Sequence, residues 1–405
     1  MSSSVWFFLA ASLGLGFTLN AAFPRRGPKL LLPSWIAAFL TIDLPFHHIA
    51  WQLLSLPLWA WFGAFETNYG QLGLLILWVS WVGMMVIWWP ARKARPMVHE
   101  LAEKLQLKAV APVPGNLLFK PFSRLRPGVE CLRDIGFCEA AGQTLKLDVY
   151  RSETDATGRP VLLYLHGGGW MYGDKKDQGL PLCNHMATLG WVCFNANYRL
   201  APAATWPEPL SDAKSAIAWI RQHAHEYGAD PSFIAIAGNS AGGHIASMAA
   251  LTPDVRSANA PNTTIQAVVP SYGVYDLTNR LQLHNPEFIS GFIGQKLIKA
   301  DFDKEPEKFT AASPRDQASK ANQPWLIIQG TADTLAPLAE ARDFFNALRE
   351  ESPASVFFAE FPAAQHGFDG YYCHRALAAV ELSARFLVTA YNGGLQKPFA
   401  AGKNV

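Results

Sequence analysis

The sequence predicts an α/β fold, a mostly parallel sheet with helices on both faces, preceded by transmembrane helices in its N-terminal quarter. Two observations predict the first part. Short apolar runs alternate with helical stretches from about residue 130 onward. Several of those runs are continuously apolar, as strands covered on both faces must be. A third observation predicts the second part: residues 1–90 carry almost no charge, whereas the rest reads like a soluble enzyme.

The N-terminal region comes first. Val5 to Phe23 is an uncharged apolar run long enough to cross a bilayer as a helix. No Lys or Arg precedes it, which argues against a signal peptide; Arg25, Arg26 and Lys29 follow it instead. A second run, 35–65, is interrupted by Asp43, Pro45, His47, His48 and Pro57. A third, 71–89, is unbroken and ends before Arg92, Lys93 and Arg95, with Trp88 and Trp89 placed like an interfacial aromatic belt. Basic flanks favour the cytoplasmic side. Two such clusters require an even number of crossings between them, and the second and third runs supply them. The expectation is a multi-pass integral membrane protein with segments 5–23, 35–65 and 71–89, the N-terminus outside and the catalytic domain in the cytoplasm. Asp43 and the His47–His48 pair read as residues at an interface or re-entrant bend, where Pro45 breaks the helix.

Residues 91–130, rich in Pro and basic groups, read as a linker and candidate cap, and 131–395 as the catalytic domain. Strands are expected at 145–150, 161–166, 191–196, 233–237, 265–269, 325–329 and 355–361. Helices are expected at 209–226, 241–251, 338–349 and 371–391. The net charge of +2 gives no reason to expect nucleic acid as a partner. Five scattered cysteines fit neither a disulfide framework nor a zinc site and read as reduced and structural.

The chemistry is concentrated in two loops. The strand ending at Ala237 runs into Gly238-Asn-Ser-Ala-Gly-Gly243 and then a helix. This is G-x-S-x-G in strand–turn–helix context, where a sharp turn with small neighbours exposes the serine side chain. Ser240 is therefore the candidate nucleophile. The strand ending at Leu165 leads into His166-Gly-Gly-Gly-Trp170, a turn whose backbone N–H groups can converge on a developing oxyanion.

These two motifs, with Asn197-Tyr-Arg-Leu-Ala-Pro202, resemble the hormone-sensitive-lipase-like esterases, α/β-hydrolases, over about residues 130–390. The resemblance implies that Gly168, Gly169 and Ala241 supply the oxyanion N–H groups, while His166 braces the loop. It also marks a departure: the family usually has Asp where this chain has Asn239, which puts the hydrogen bonding of the turn in question.

In such folds the acid and then the histidine follow the serine. His366, in Gln365-His-Gly-Phe368 between the last strand and last helix, is the candidate base over His284 and His374. Asp333 follows the strand at 325–329 and is the candidate acid over Asp276 and Asp369; Thr334 stands where the family usually has Pro. Asp212 reads as a structural partner of the Tyr198–Arg199 loop. Trp170, Tyr172 and Trp206 either contact an acyl chain or only pack the loops. The expected activity is a serine esterase or lipase acting on small-molecule or lipid esters, with membrane lipid as its surroundings and no metal or organic cofactor. An amidase, peptidase or thioesterase would use the same residues, and a non-catalytic scaffold would have no use for them.

Overall fold

The computed structural model describes residues 2–395 except 26, 28, 155 and 255–261, so Arg26 of the first basic cluster lies outside the described residues. Its C-terminal part is built on an eight-stranded sheet in the order β1-β2-β4-β3-β5-β6-β7-β8. The strands are β1 Val129–Ala140, β2 Gln143–Ser152, β3 Arg159–Leu165, β4 Val192–Ala196, β5 Ala229–Asn239, β6 Ala267–Ser271, β7 Trp325–Gly330 and β8 Val356–Phe361. Pairing is antiparallel from β1 to β2 and β2 to β4, and parallel from β4 through to β8. The helices are α1 Ser3–Ala22, α2 Leu31–Asp43, α3 Pro45–Trp61, α4 Asn68–Trp88, α5 Ala94–Lys104, α6 Leu180–Thr188, α7 Glu208–His223, α8 Ala241–Leu251, α9 Pro306–Ala312, α10 Leu338–Glu351 and α11 His374–Tyr391.

Every residue of β3 and β4 is buried, because α7, α8 and α10 cover one face of the sheet and α5, α6 and α11 the other. β1 was not among the expected strands. Its alternating, half-exposed pattern, with register shifts near Leu132 and Gly136, is that of an antiparallel edge rather than of a buried run. α6 was also missed; it is only nine residues long and starts after Gly179 at φ 77°. All five cysteines are free.

The expected linker is not a separate passage. α4 continues through Trp89–Lys93 into α5, whose Ala94, Val98 and Ala102 recur every fourth residue and are buried in the same core as α11.

The expected run at 35–65 is likewise not one segment. The chain breaks at Leu44, between Asp43 and Pro45, because proline cannot continue a helix through its own missing N–H. α3 then runs antiparallel to α1 and α4: Phe46 packs on Trp88, the Gln52 carboxamide accepts from the Trp81 indole, and the Ser3 hydroxyl donates to the Phe62 carbonyl. α1 and α4 are parallel, with Phe7 beside Gly73 and the Thr18 hydroxyl bonded to that of Ser80 at 2.8 Å. α2 lies instead between this bundle and the catalytic domain. Among the described residues two helices, Ser3–Ala22 and the continuous Asn68–Lys104, are long and apolar enough to cross a membrane.

Candidate active site

The nucleophile elbow forms where β5 passes into α8. Ser240 has φ 53° and ψ −122°, a backbone that non-glycine residues rarely adopt, and the surroundings hold it there. Its N–H donates to the Ser271 carbonyl at 2.9 Å. Gly242 permits the close approach, since a Cβ there would lie 2.1 Å from the Leu165 carbonyl oxygen. The same crowding brings the glycine loop alongside: a Cβ on Gly167 would lie 3.0 Å from that of Ser240.

Ser240, His366 and Asp333, on loops after β5, β8 and β7, stand in one hydrogen-bonded line at the carboxyl ends of the parallel strands. The Ser240 Oγ is 2.8 Å from His366 Nε2, and His366 Nδ1 is 2.8 Å from Asp333 Oδ2. Asp333 Oδ2 also accepts from Gln329 Nε2 at 3.2 Å, and Oδ1 accepts the N–H groups of Leu335 and Ala336. A carboxylate so bonded keeps a fixed orientation and accepts the hydrogen bond of the imidazole N–H in a single geometry.

Thr334, the departure from the family's proline, has a use. Its N–H, which proline would lack, donates to Gln365 Oε1 at 2.8 Å, and the same oxygen accepts the His366 N–H at 2.9 Å. One carboxamide thus ties the acid loop to the histidine loop. Asn239 is accounted for in a similar way. Its side-chain amide donates to the Tyr272 hydroxyl at 3.0 Å, and that hydroxyl donates to the Asp369 carboxylate. Burial raises the Asp369 carboxyl to about 6, against a smaller lowering effect of the Tyr272 hydrogen bond.

Gly168 and Gly169 have φ of 123° and 59°, and a Cβ on Gly168 would lie 2.1 Å from the Tyr172 carbonyl oxygen. Only glycine fits there without strain. His166 is buried against Tyr198, with ring centroids 4.4 Å apart, and burial lowers its pKa. It braces the loop through its own Nδ1 and the Gly167 carbonyl. Ala241 occupies the first helical position of α8, where N–H groups have no partner within the helix.

The rival residues have other partners, Asp369 through the Tyr272 hydroxyl. Asp276 is taken up by Thr278 and Arg280, His284 by Glu340, and His374 packs on the rings of Phe46 and Trp88. Asp212 receives the Arg199 backbone and guanidinium. Trp170 is buried and donates to His244, whose pKa burial lowers to about 4, so this tryptophan packs the loop and is not at a mouth. Trp206 is half-buried on His244, whereas Tyr172 is 70 % exposed. A cavity of about 790 Å³ bordered by Asn279, Ile289, Lys299 and Phe302 includes none of Ser240, Asp333 or His366 in its walls.

Three contributors had no signal in the sequence: Gln329, Gln365 and Tyr272, ordinary polar residues whose roles depend on where strand ends meet. A fourth group, on α2, comes from far earlier in the chain. The Trp35 indole N–H donates to the His366 carbonyl oxygen at 2.9 Å.

Known proteins place this arrangement. The BD-FAE family model matches residues 147–348. The esterase LipQ of Mycobacterium tuberculosis is 33 % identical over 388 residues, covering 91 % of this chain and 88 % of LipQ. The probable carboxylic ester hydrolase LipM of the same organism is 38 % identical over 278 residues, 66 % of this chain and 64 % of LipM's length. Among solved structures, a propionate-bound thermophilic esterase from Thermogutta terrifontis aligns with a TM-score of 0.55 at 28 % identity, over 68 % of this chain and 97 % of that one. The chain belongs to the hormone-sensitive-lipase-like esterases, carboxylic ester hydrolases of the α/β-hydrolase fold. Because the LipQ match covers 91 % of the chain, it takes in a large part of the N-terminal helices as well.

Proposed function

We propose that the protein is a membrane-anchored serine esterase or lipase that cleaves lipophilic carboxylic esters through an acyl-enzyme. The observation that carries this reading is the line Ser240–His366–Asp333, with both hydrogen bonds at 2.8 Å. His366 Nε2 takes the hydroxyl proton as Ser240 Oγ attacks the ester carbonyl carbon. The N–H groups of Gly168, Gly169 and Ala241 receive the resulting oxyanion. Collapse breaks the bond to the alcohol, which leaves with the proton from His366. A water then gives its proton to His366, attacks the acyl carbon, and frees the carboxylic acid and Ser240.

The membrane assignment is carried by the helices. α1, α3 and α4 would make three crossings, α3 being about 26 Å long at 1.5 Å per residue. Leu54, Leu58, Trp61, Leu75, Trp78 and Val86 are exposed on them, as suits contact with lipid tails. Because α1 and α4 are parallel, Arg25 and Lys29 after one and Arg92 and Lys93 after the other share the end nearest the catalytic domain. That supports a cytoplasmic catalytic domain. We take residues 1–90 as the membrane region and 131–395 as the catalytic domain, with lipophilic substrates favoured because they concentrate where the domain is tethered.

The test is turnover of p-nitrophenyl esters of increasing acyl length by the full chain in detergent and by Ser240→Ala. Loss of the serine should lower kcat by a factor on the order of 10⁶. Equal inactivity of both proteins across the series would overturn simple ester hydrolysis and turn attention to amides and thioesters.

A further inference from the structure

α2 meets the catalytic domain along one stripe. Trp35, Phe39 and Asp43 recur every fourth residue, so they share a face of the helix. All three reach the segment 366–375, which begins with the candidate base. The Trp35 indole donates to the His366 carbonyl oxygen at 2.9 Å, and its ring stands edge-on to the imidazole with centroids 6.1 Å apart. The Phe39 carbonyl accepts from the Tyr371 hydroxyl at 3.0 Å, and the two rings pack edge to face at 5.0 Å. Gly367, at φ +84°, lies so close that a Cβ there would be 3.0 Å from the Phe39 ring and 3.6 Å from that of Trp35. Asp43 pairs with Arg375 at the start of α11. The neighbouring stripe of α2, Leu32, Ile36 and Leu40, is exposed.

The His366 peptide is thus held on both sides. Its N–H is fixed by Gln365 Oε1 and its carbonyl by Trp35. Fixing both ends of the residue fixes the direction of its Cα–Cβ bond, and hence where the imidazole meets Asp333 and Ser240. Small displacements of a reacting group cost rate steeply.

We propose that Trp35 is a positioning residue for the reaction and that α2 is a working part of the active site, in addition to any role in anchoring. This rests on the reading of His366 as the base. With the Trp35 bond removed, the imidazole is less well aligned with Asp333. Proton transfer from Ser240 then slows, while substrate binding, which needs no aligned base, is unchanged.

The experiment uses the full chain in detergent, with Trp35→Phe, which keeps a packing ring but has no N–H to donate. A short p-nitrophenyl ester serves as substrate, and fluorophosphonate titration counts active serines. The expected result is a fall in kcat of about tenfold per titrated site, with KM little changed. Ile36→Ala, on the exposed stripe, should match the wild type. Wild-type kcat per titrated serine in Trp35→Phe would overturn the proposal. So would a loss limited to yield or melting temperature with specific activity per titrated serine intact. His366→Gln separates the two layers: if it kept full activity, the base assignment itself would fall. An inactive His366→Gln beside a fully active Trp35→Phe would sink only the role of Trp35.

Discussion

Asp43 and Arg375 are 332 positions apart in sequence and form an ion pair whose side chains are 1 % and 0 % exposed. Arg375 also donates through Nε to the Pro362 carbonyl at 3.0 Å, so it ties the end of α2 to the passage between β8 and α11. A charge of this kind is tolerated in an apolar setting only while its partner remains.

Asp43→Asn should therefore destabilise the protein by about 3–5 kcal/mol, the usual cost of leaving one member of a buried pair uncompensated. Thermal unfolding in detergent would show it. The double variant Asp43→Asn with Arg375→Gln should lose less than the sum of the two single variants; strict additivity would mean the pair is not coupled.

Asp333→Asn should keep the fold but lower kcat on short esters by about 10⁴, because an amide no longer holds the imidazole in the tautomer that accepts the serine proton. Steady-state kinetics alongside a melting curve would check this. A variant with normal stability and near-normal kcat would remove Asp333 from the mechanism.

Asp369 gives a pH dependence with a definite sign. Its folded-state carboxyl is raised by burial to about 6 from an ordinary value of 3.8. The native state therefore holds this proton more tightly than the unfolded chain does. Its contribution to stability is fully present below about pH 4 and is lost as pH rises to about 6, roughly 3 kcal/mol over that window. In Asp369→Asn the decline between pH 4 and 6 should be smaller than in the wild type, measured as melting temperature against pH. Identical slopes would assign the dependence to other groups.

The orientation of the helices can be read with end tags in intact cells. With three crossings by α1, α3 and α4, an epitope fused before Ser2 should be removed by added protease while one at the carboxyl terminus is protected. Protection or loss of both together would require an even number of crossings.

Several elements were legible in the chain because their cause is local. β3 and β5 are apolar runs, since both faces of a parallel sheet are covered, and α8 follows a turn whose small residues leave little choice. Ser240 stands out through its motif, while Asp333 and His366 stand out through chain order and loops that resemble those of the family, each just beyond a strand end. β1 escaped because an edge strand with one exposed face lacks a continuous apolar signature.

What the amino-acid sequence by itself determined was the class of fold, the two chemistry-bearing loops and the presence of long apolar helices, all set by patterns spanning a few to about twenty residues. Only the tertiary structure decided that α5 belongs to the domain core and that Trp35 and Asp43 hold the histidine loop. The contacts of α2 join positions more than 300 residues apart, and no local propensity encodes them. They exist because packing α2 onto the segment 366–375 both half-buries its aromatic stripe and pairs the Arg375 charge.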